Sequence, residues 1–164
     1  MLKILIIDSS TLIALDRVDL IPFLDKLNYN FIIPQSIREE IGDTYLNCKK
    51  IKVETLNGKT VQVSKNLQEL NIGSGEADCV ALANSYNLDF IVCDDRKLLR
   101  QIFFSKNPIL KRFKIVGFSF LLYQFYKKGL INNVWEHFEE IIKKSKWERS
   151  EVEVTNYLFL KNFV

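Results

Sequence analysis

Apolar residues arrive along this chain in two rhythms. The segments "KILIID" (3–8), "NFIIP" (30–34), "LDFIVCD" (88–94) and "FKIVG" (113–117) are short, continuous, β-branched runs closed by turn or acidic residues. Runs of that length predict strands buried on both faces, as in a parallel sheet covered by helices. Between them, apolar residues three and four apart predict helices over 10–18, 19–28, 34–42, 75–86, 95–104, 118–128 and 133–144. Pro34 suits a first helical turn and Gly42 a helix end. Strands alternating with helices predict an α/β fold around a mostly parallel sheet of four to five strands.

One stretch breaks the alternation. "IKVETLNGKTVQV" (51–63) sets Asn57-Gly58 between two alternating segments, which predicts a small antiparallel hairpin. The ending "EVEVTNYLFLKNFV" (151–164) is too apolar for a loose tail and is expected to dock on its own domain or on a partner. Residues 1–150 read as one domain, as expected for a chain of 164 residues.

Composition narrows the function classes. With 48% hydrophobic and 26% charged residues, the chain reads as an ordinary globular protein. No run approaches the roughly 20 apolar residues that cross a bilayer, so no membrane partner is expected. "MLKILIID" lacks a small-residue cleavage site and reads as a first strand, with the cytoplasm as the expected location. Cys48, Cys79 and Cys93 match no CxxC or zinc spacing and read as reduced thiols. There is one histidine, His137, and no G-x-S-x-G nucleophile motif. Carboxylates are left as the abundant reactive groups.

In open parallel sheets the functional crevice lies outside the carboxyl ends of the strands. Asp8 closes the first strand and Asp94-Asp95 the third, while Glu40 follows the second on its helix. Asp78 stands in the first turn of the helix opened by "GSGEADCVALA", on or beside its apolar face, with Glu76 two residues earlier. Singly, each acid has a structural use: Asp8, Glu76, Asp94 or Asp95 as a helix cap, Glu40 as a surface acid. Together they present several carboxylates at one edge of the sheet. Like charges so placed raise each other's pKa and destabilise the fold, and a divalent cation removes that penalty.

These segments resemble the PIN-domain ribonucleases, most nearly the compact prokaryotic VapC-like toxins of toxin–antitoxin modules. The resemblance runs from residue 4 to about 131 through "ILIIDSSTLIAL", "IIPQSIREEI", "GSGEADCVALA", "FIVCDDRKLL" and "VGFSFLLYQFYKKGLI". It implies a PIN-like three-layer α/β/α sandwich and a metal-dependent endoribonuclease leaving 5′-phosphate and 3′-hydroxyl ends. Asp8, Glu40, Asp78 and Asp95 would be catalytic. Those four, with Asp94 and Glu76 as further candidates, would hold Mg²⁺ or Mn²⁺. The family commonly has Thr or Ser where Cys93 stands. A toxin reading further implies a cognate antitoxin protein and a homodimer.

An RNA partner needs positive surface, yet the net charge is only +3. Setting the four main site acids aside leaves 23 basic residues against 16 acidic ones. Arg96, Lys97 and Arg100 follow the acid pair directly and are the expected phosphate contacts. Tyr86, Tyr123 and Phe125 are candidates for base stacking, although their helical spacing also suits a core. Other α/β enzymes fit less well. A haloacid-dehalogenase-like phosphatase wants Asp-x-Asp where the chain has Asp8-Ser9-Ser10, a receiver domain wants a mid-chain phosphoacceptor that "NFIIPQS" lacks, and "GSGEAD" lacks the third glycine of a dinucleotide loop. The remaining alternative is a PIN-like module that binds RNA or protein with little or no nuclease activity.

Overall fold

A computed structural model describes residues 3–42 and 48–164. Among the described residues five strands form: β1 (Lys3–Ile6), β2 (Tyr29–Pro34), β3 (Ile51–Glu54), β4 (Phe90–Val92) and β5 (Lys114–Val116). β1, β2 and β3 pair in parallel, as do β4 and β5. A parallel bridge between Ile7 and Val92 joins the two groups, giving the spatial order β3-β2-β1-β4-β5. The join is reinforced at the strand ends, where the Asp8 amide donates to the Val92 carbonyl at 2.9 Å.

The helices are α1 (Ser9–Asp16), α2 (Gln35–Ile41), α3 (Gly58–Gln68), α4 (Ser74–Ser85), α5 (Arg96–Phe104), α6 (Pro108–Arg112), α7 (Phe118–Lys127), α8 (Val134–Ser145) and α9 (Glu151–Phe163). A 3-10 turn over Ile21–Lys26 replaces the helix expected at 19–28. Pro22 at its start removes an amide donor. The architecture is the expected α/β/α sandwich. α4 lies across β2, β1 and β4, and α7 packs against α8 and α9. The core runs through the sheet, where Ile6, Ile7, Phe31, Ile33 and Val92 have no exposed surface. Among the described residues no helix is long and apolar enough to cross a membrane.

The hairpin expected at 51–63 does not form. Its first arm is β3, a parallel edge strand on β2, and its second arm is the start of α3. Asn57 is extended (φ −139°, ψ 160°) and its carbonyl accepts the first helical amides, from Thr60 at 2.9 Å and Val61 at 3.4 Å. The alternation of Val61 and Val63 had suggested a strand. The side chains that become buried are Ser64 and Leu67, three apart, with Val63 partly buried beside them, on a helix packed against α4. Tertiary packing on α4 outweighs the local turn preference.

The C-terminal segment forms α9, which packs against α7. Its buried Asn156 reaches into the domain, accepting from the Ser119 amide at 3.0 Å and donating to Asp94 Oδ1 at 2.8 Å. Gly117, at the start of α7, permits this. A Cβ there would collide with Asp94 Oδ1 and with both side-chain polar atoms of Asn156.

Candidate functional site

The chain leaves β1 toward β2 on one side, and β4 lies on the other. The carboxyl ends of β1 and β4 therefore flank the point where the strand order reverses, the usual place for a site in an open α/β sheet. Asp8 stands at the end of β1, 2% exposed, and caps α1. Its Oδ2 accepts from the Ser10 hydroxyl at 2.6 Å and the Cys93 thiol at 3.1 Å. These donors are neutral, and no lysine or arginine among the described residues pairs with Asp8.

Cys93 takes the part a Ser or Thr hydroxyl would play. Its sulfur donates to Asp8 and accepts the Asp95 amide at 3.3 Å. Burial, and then the negative Asp8, push its pKa well above the ordinary thiol value, so it remains a protonated donor. Asp95 follows, half-buried, with Oδ1 accepting the Leu98 amide at 2.6 Å as the cap of α5. Its other oxygen has no hydrogen-bond partner among the described residues.

Asp94 and Asp95 are neighbours with opposite fates, because extended residues alternate sides. Asp94 turns inward and is 7% exposed. It accepts from Thr11 Oγ1 at 2.7 Å, the Phe118 amide at 2.9 Å and Asn156 Nδ2 at 2.8 Å. Burial raises its pKa to about 6 against the lowering effect of these bonds. Expected as a further metal ligand, Asp94 instead ties the end of β4 to α1, α7 and α9.

The two acids of α4 divide in the same way. At 100° per residue, positions two apart lie about 200° around a helix, so only one can face the strand ends. That one is Glu76. Burial raises its pKa, and the negative Asp8, Asp95 and Glu40 push it further in the same direction. Asp78, expected to be catalytic, has both oxygens engaged elsewhere: Oδ2 accepts from Ser36 Oγ and Oδ1 from Ser64 Oγ, each at 2.5 Å. It pins α2 and α3 to α4. Glu40 is exposed on α2, yet the close approach of α2 to α4 brings it near Glu76. Gly75 allows that approach, since a Cβ there would meet Ile37 Cδ1 at 2.7 Å and lie 3.7 Å from Glu40 Oε2.

The structure thus places Glu76 within electrostatic range of Asp8, Asp95 and Glu40, and engages Asp78 and Asp94 with other elements. None of the four forms an ion pair with lysine or arginine among the described residues, whose two ion pairs are Arg100–Glu151 and Lys144–Glu140. Hard, unpaired carboxylate oxygens are the donor chemistry that suits Mg²⁺ or Mn²⁺. As the side chains stand, no three Asp, Glu, His or Cys among the described residues gather closely enough to hold an ion.

Beside the acids opens a cleft of about 540 Å³ whose lining includes Ser10, Asp95, Arg96, Lys97, Arg100 and Trp147. Arg100 is committed to Glu151 of α9, through Nε to Oε2 at 3.0 Å and a second bond from Nη2 to Oε1. Lys97 carries no such partner among the described residues. The three aromatic residues considered for stacking lie elsewhere. Phe125 is buried against Phe23, Tyr123 packs on Phe159, and the Tyr86 hydroxyl donates to Glu54 Oε2 at 2.6 Å.

No curated protein and no solved structure matches the chain. A family model described as PIN domain does, over residues 4–158. PIN domains are generally nucleases and typically use divalent metals. Spanning nearly the whole sequence, the match agrees with the strand order and the acid-lined switch point: the chain belongs to the PIN-domain family.

Proposed function

We propose that the protein is a metal-dependent endoribonuclease, and that it serves as the toxin of a VapC-like toxin–antitoxin pair. The observation that carries the nuclease reading is the switch point itself, where Asp8, Asp95 and Glu76 stand without a lysine or arginine partner among the described residues, with Glu40 on the neighbouring helix and a cationic cleft beside them. These four would hold Mg²⁺ or Mn²⁺. Such a cation would supply counter-charge for a phosphodiester and acidify a nearby water. The chain's own contributions are positional. Ser10 and Cys93 fix the Asp8 carboxylate, Cys93 also holds the amide of Asp95, and Asp78 sets the spacing of α2 and α4. Arg96 and Lys97 offer charge to the RNA backbone near the acids.

The toxin reading rests on the sequence resemblance and on apolar side chains that α9 leaves exposed, Val154, Leu158 and Phe163. These suit a homodimer or a cognate antitoxin. A second reading, a PIN-like binding module with little activity, is favoured by the open spacing of the carboxylates.

Cleavage of single-stranded RNA by the purified chain with added Mn²⁺ separates the two. The division within α4 sharpens that test. Glu76→Gln is expected to lower cleavage about a hundredfold while leaving the melting temperature unchanged or higher. Asp78→Ala is expected to lower stability by about 2–3 kcal/mol, because two partly buried serine hydroxyls lose their acceptor. The reverse pattern in activity and melting would assign the site to Asp78.

Metal binding should also register as stability. Mn²⁺ at about a hundred times its dissociation constant is expected to stabilise the fold by about 2.7 kcal/mol at pH 7. The gain should be much smaller at pH 4, where the carboxylates compete with protons. A melting curve insensitive to Mn²⁺ and to chelator at both pH values would count against the site.

A further inference from the structure

The cleft beside the acids contains an aromatic wall that the nuclease reading does not require. α5 supplies Arg96, Lys97, Arg100 and Gln101, and the corner between α8 and α9 supplies Trp147 and Val152. We propose that this cleft takes one unpaired nucleotide of an RNA strand, its base laid against Trp147 and its phosphate held by Lys97. The proposal rests on the reading of the acid-lined switch point as an RNA-cleaving site and adds the residues that meet a base and its phosphate.

The indole is prepared for this. Lys146 adopts a left-handed conformation (φ 56°) that ends α8, and the Trp147 amide then bonds back to the Ile142 carbonyl at 3.0 Å. Trp147 stacks on Phe118 (6.0 Å between centroids, 28° between planes), which stacks in turn on Phe138. A half-buried indole held from behind loses little freedom when a base arrives. Its N–H has no hydrogen-bond partner among the described residues. The volume of about 540 Å³ falls within the usual range for small-molecule pockets. Because Glu151 already occupies Arg100, Lys97, which has no such partner among the described residues, is the cation left for phosphate contact beside Arg96. A stacking platform accepts any base but needs its face free, so a paired strand is excluded.

The test uses the Asp8→Asn chain without added metal, so that binding is read apart from cleavage. Trp135→Phe is included so that Trp147 is the one remaining tryptophan of the two. Titration with an eight-nucleotide single-stranded RNA is expected to quench Trp147 emission, whereas the same strand in a duplex leaves it unchanged. Polarisation of labelled RNA should show Trp147→Ala weakening single-strand binding about tenfold or more, with Trp147→Phe retaining most of the affinity. The quenching needs no cavity-forming variant and stands if Trp147→Ala folds poorly. Single-strand binding without quenching, equal binding of duplex, or no binding of single strands overturns the proposal. Binding and quenching in this chain, with no cleavage by the wild type in Mn²⁺, overturns the nuclease reading and leaves the nucleotide cleft standing.

Discussion

Asp8→Asn is expected to reduce RNA cleavage about a thousandfold while the protein remains folded. The loss follows from the position of Asp8, a buried carboxylate at the end of β1 that no lysine or arginine among the described residues pairs with. Removing a site's central counter-ion ligand costs several kcal/mol of transition-state stabilisation, about 4 kcal/mol for three decades. Folding is spared for three reasons. Asparagine caps a helix as well as aspartate does, its Oδ1 still accepts from Ser10 or Cys93, and the substitution removes one of the negative charges that act on Glu76. Thermal melting in chelator should therefore be unchanged or slightly higher, and cleavage in Mn²⁺ nearly absent. Equal cleavage by wild type and Asp8→Asn would return the protein to the binding-module reading.

Asp94→Ala should have the opposite signature, with stability lost first. It strands a threonine hydroxyl, a backbone amide and the Asn156 amide in the interior. With buried groups left unsatisfied, the cost is about 3–4 kcal/mol, which for a chain of this size is a fall of about 10 °C in melting temperature. Asp94 also gives a pH dependence of definite sign. Its folded pKa of about 6 lies above its unfolded value of about 3.9, so between these the folded state binds more protons. Its contribution to stability is complete below about pH 4 and is lost as the pH rises through 6. The raised pKa of Glu76 acts in the same direction. In chelator, denaturant titrations should show stability falling by up to about 3 kcal/mol from pH 4 to pH 7. Asp94→Asn should flatten much of that slope. Stability that rises over the same range would show that burial does not govern this carboxyl.

The strand-forming runs were legible because burial on both faces leaves a signature within single segments. "KILIID", "LDFIVCD" and "FKIVG" each contain the strand they announce, and "NFIIP" all of its strand but Tyr29. Asp8 and Asp95 were legible with them, since an acid that ends a buried strand can only stand at the sheet's edge. The 51–63 segment misled because Asn-Gly and two alternating valines are local signals, while the surface that captured Ser64 and Leu67 belongs to α4, further along the chain. Trp147 carried no local signal. Its place in the cleft depends on a left-handed residue at Lys146 and on a ring stack with Phe118.

Among the acids, residue type and order announced a carboxylate-rich edge, and that much follows from the chain alone. The choice between near neighbours did not, because it turns on what each side chain meets across the fold. Glu76 lies within electrostatic range of Asp8, Asp95 and Glu40 while Asp78 meets Ser36 and Ser64; Asp95 caps α5 and stays half-exposed while Asp94 meets Thr11, Phe118 and Asn156. Those donors lie 14 to 83 residues from the acids they satisfy, a distance over which periodicity carries no information. What separates these neighbouring acids is which elements their side chains meet across the fold, and that is a property of packing.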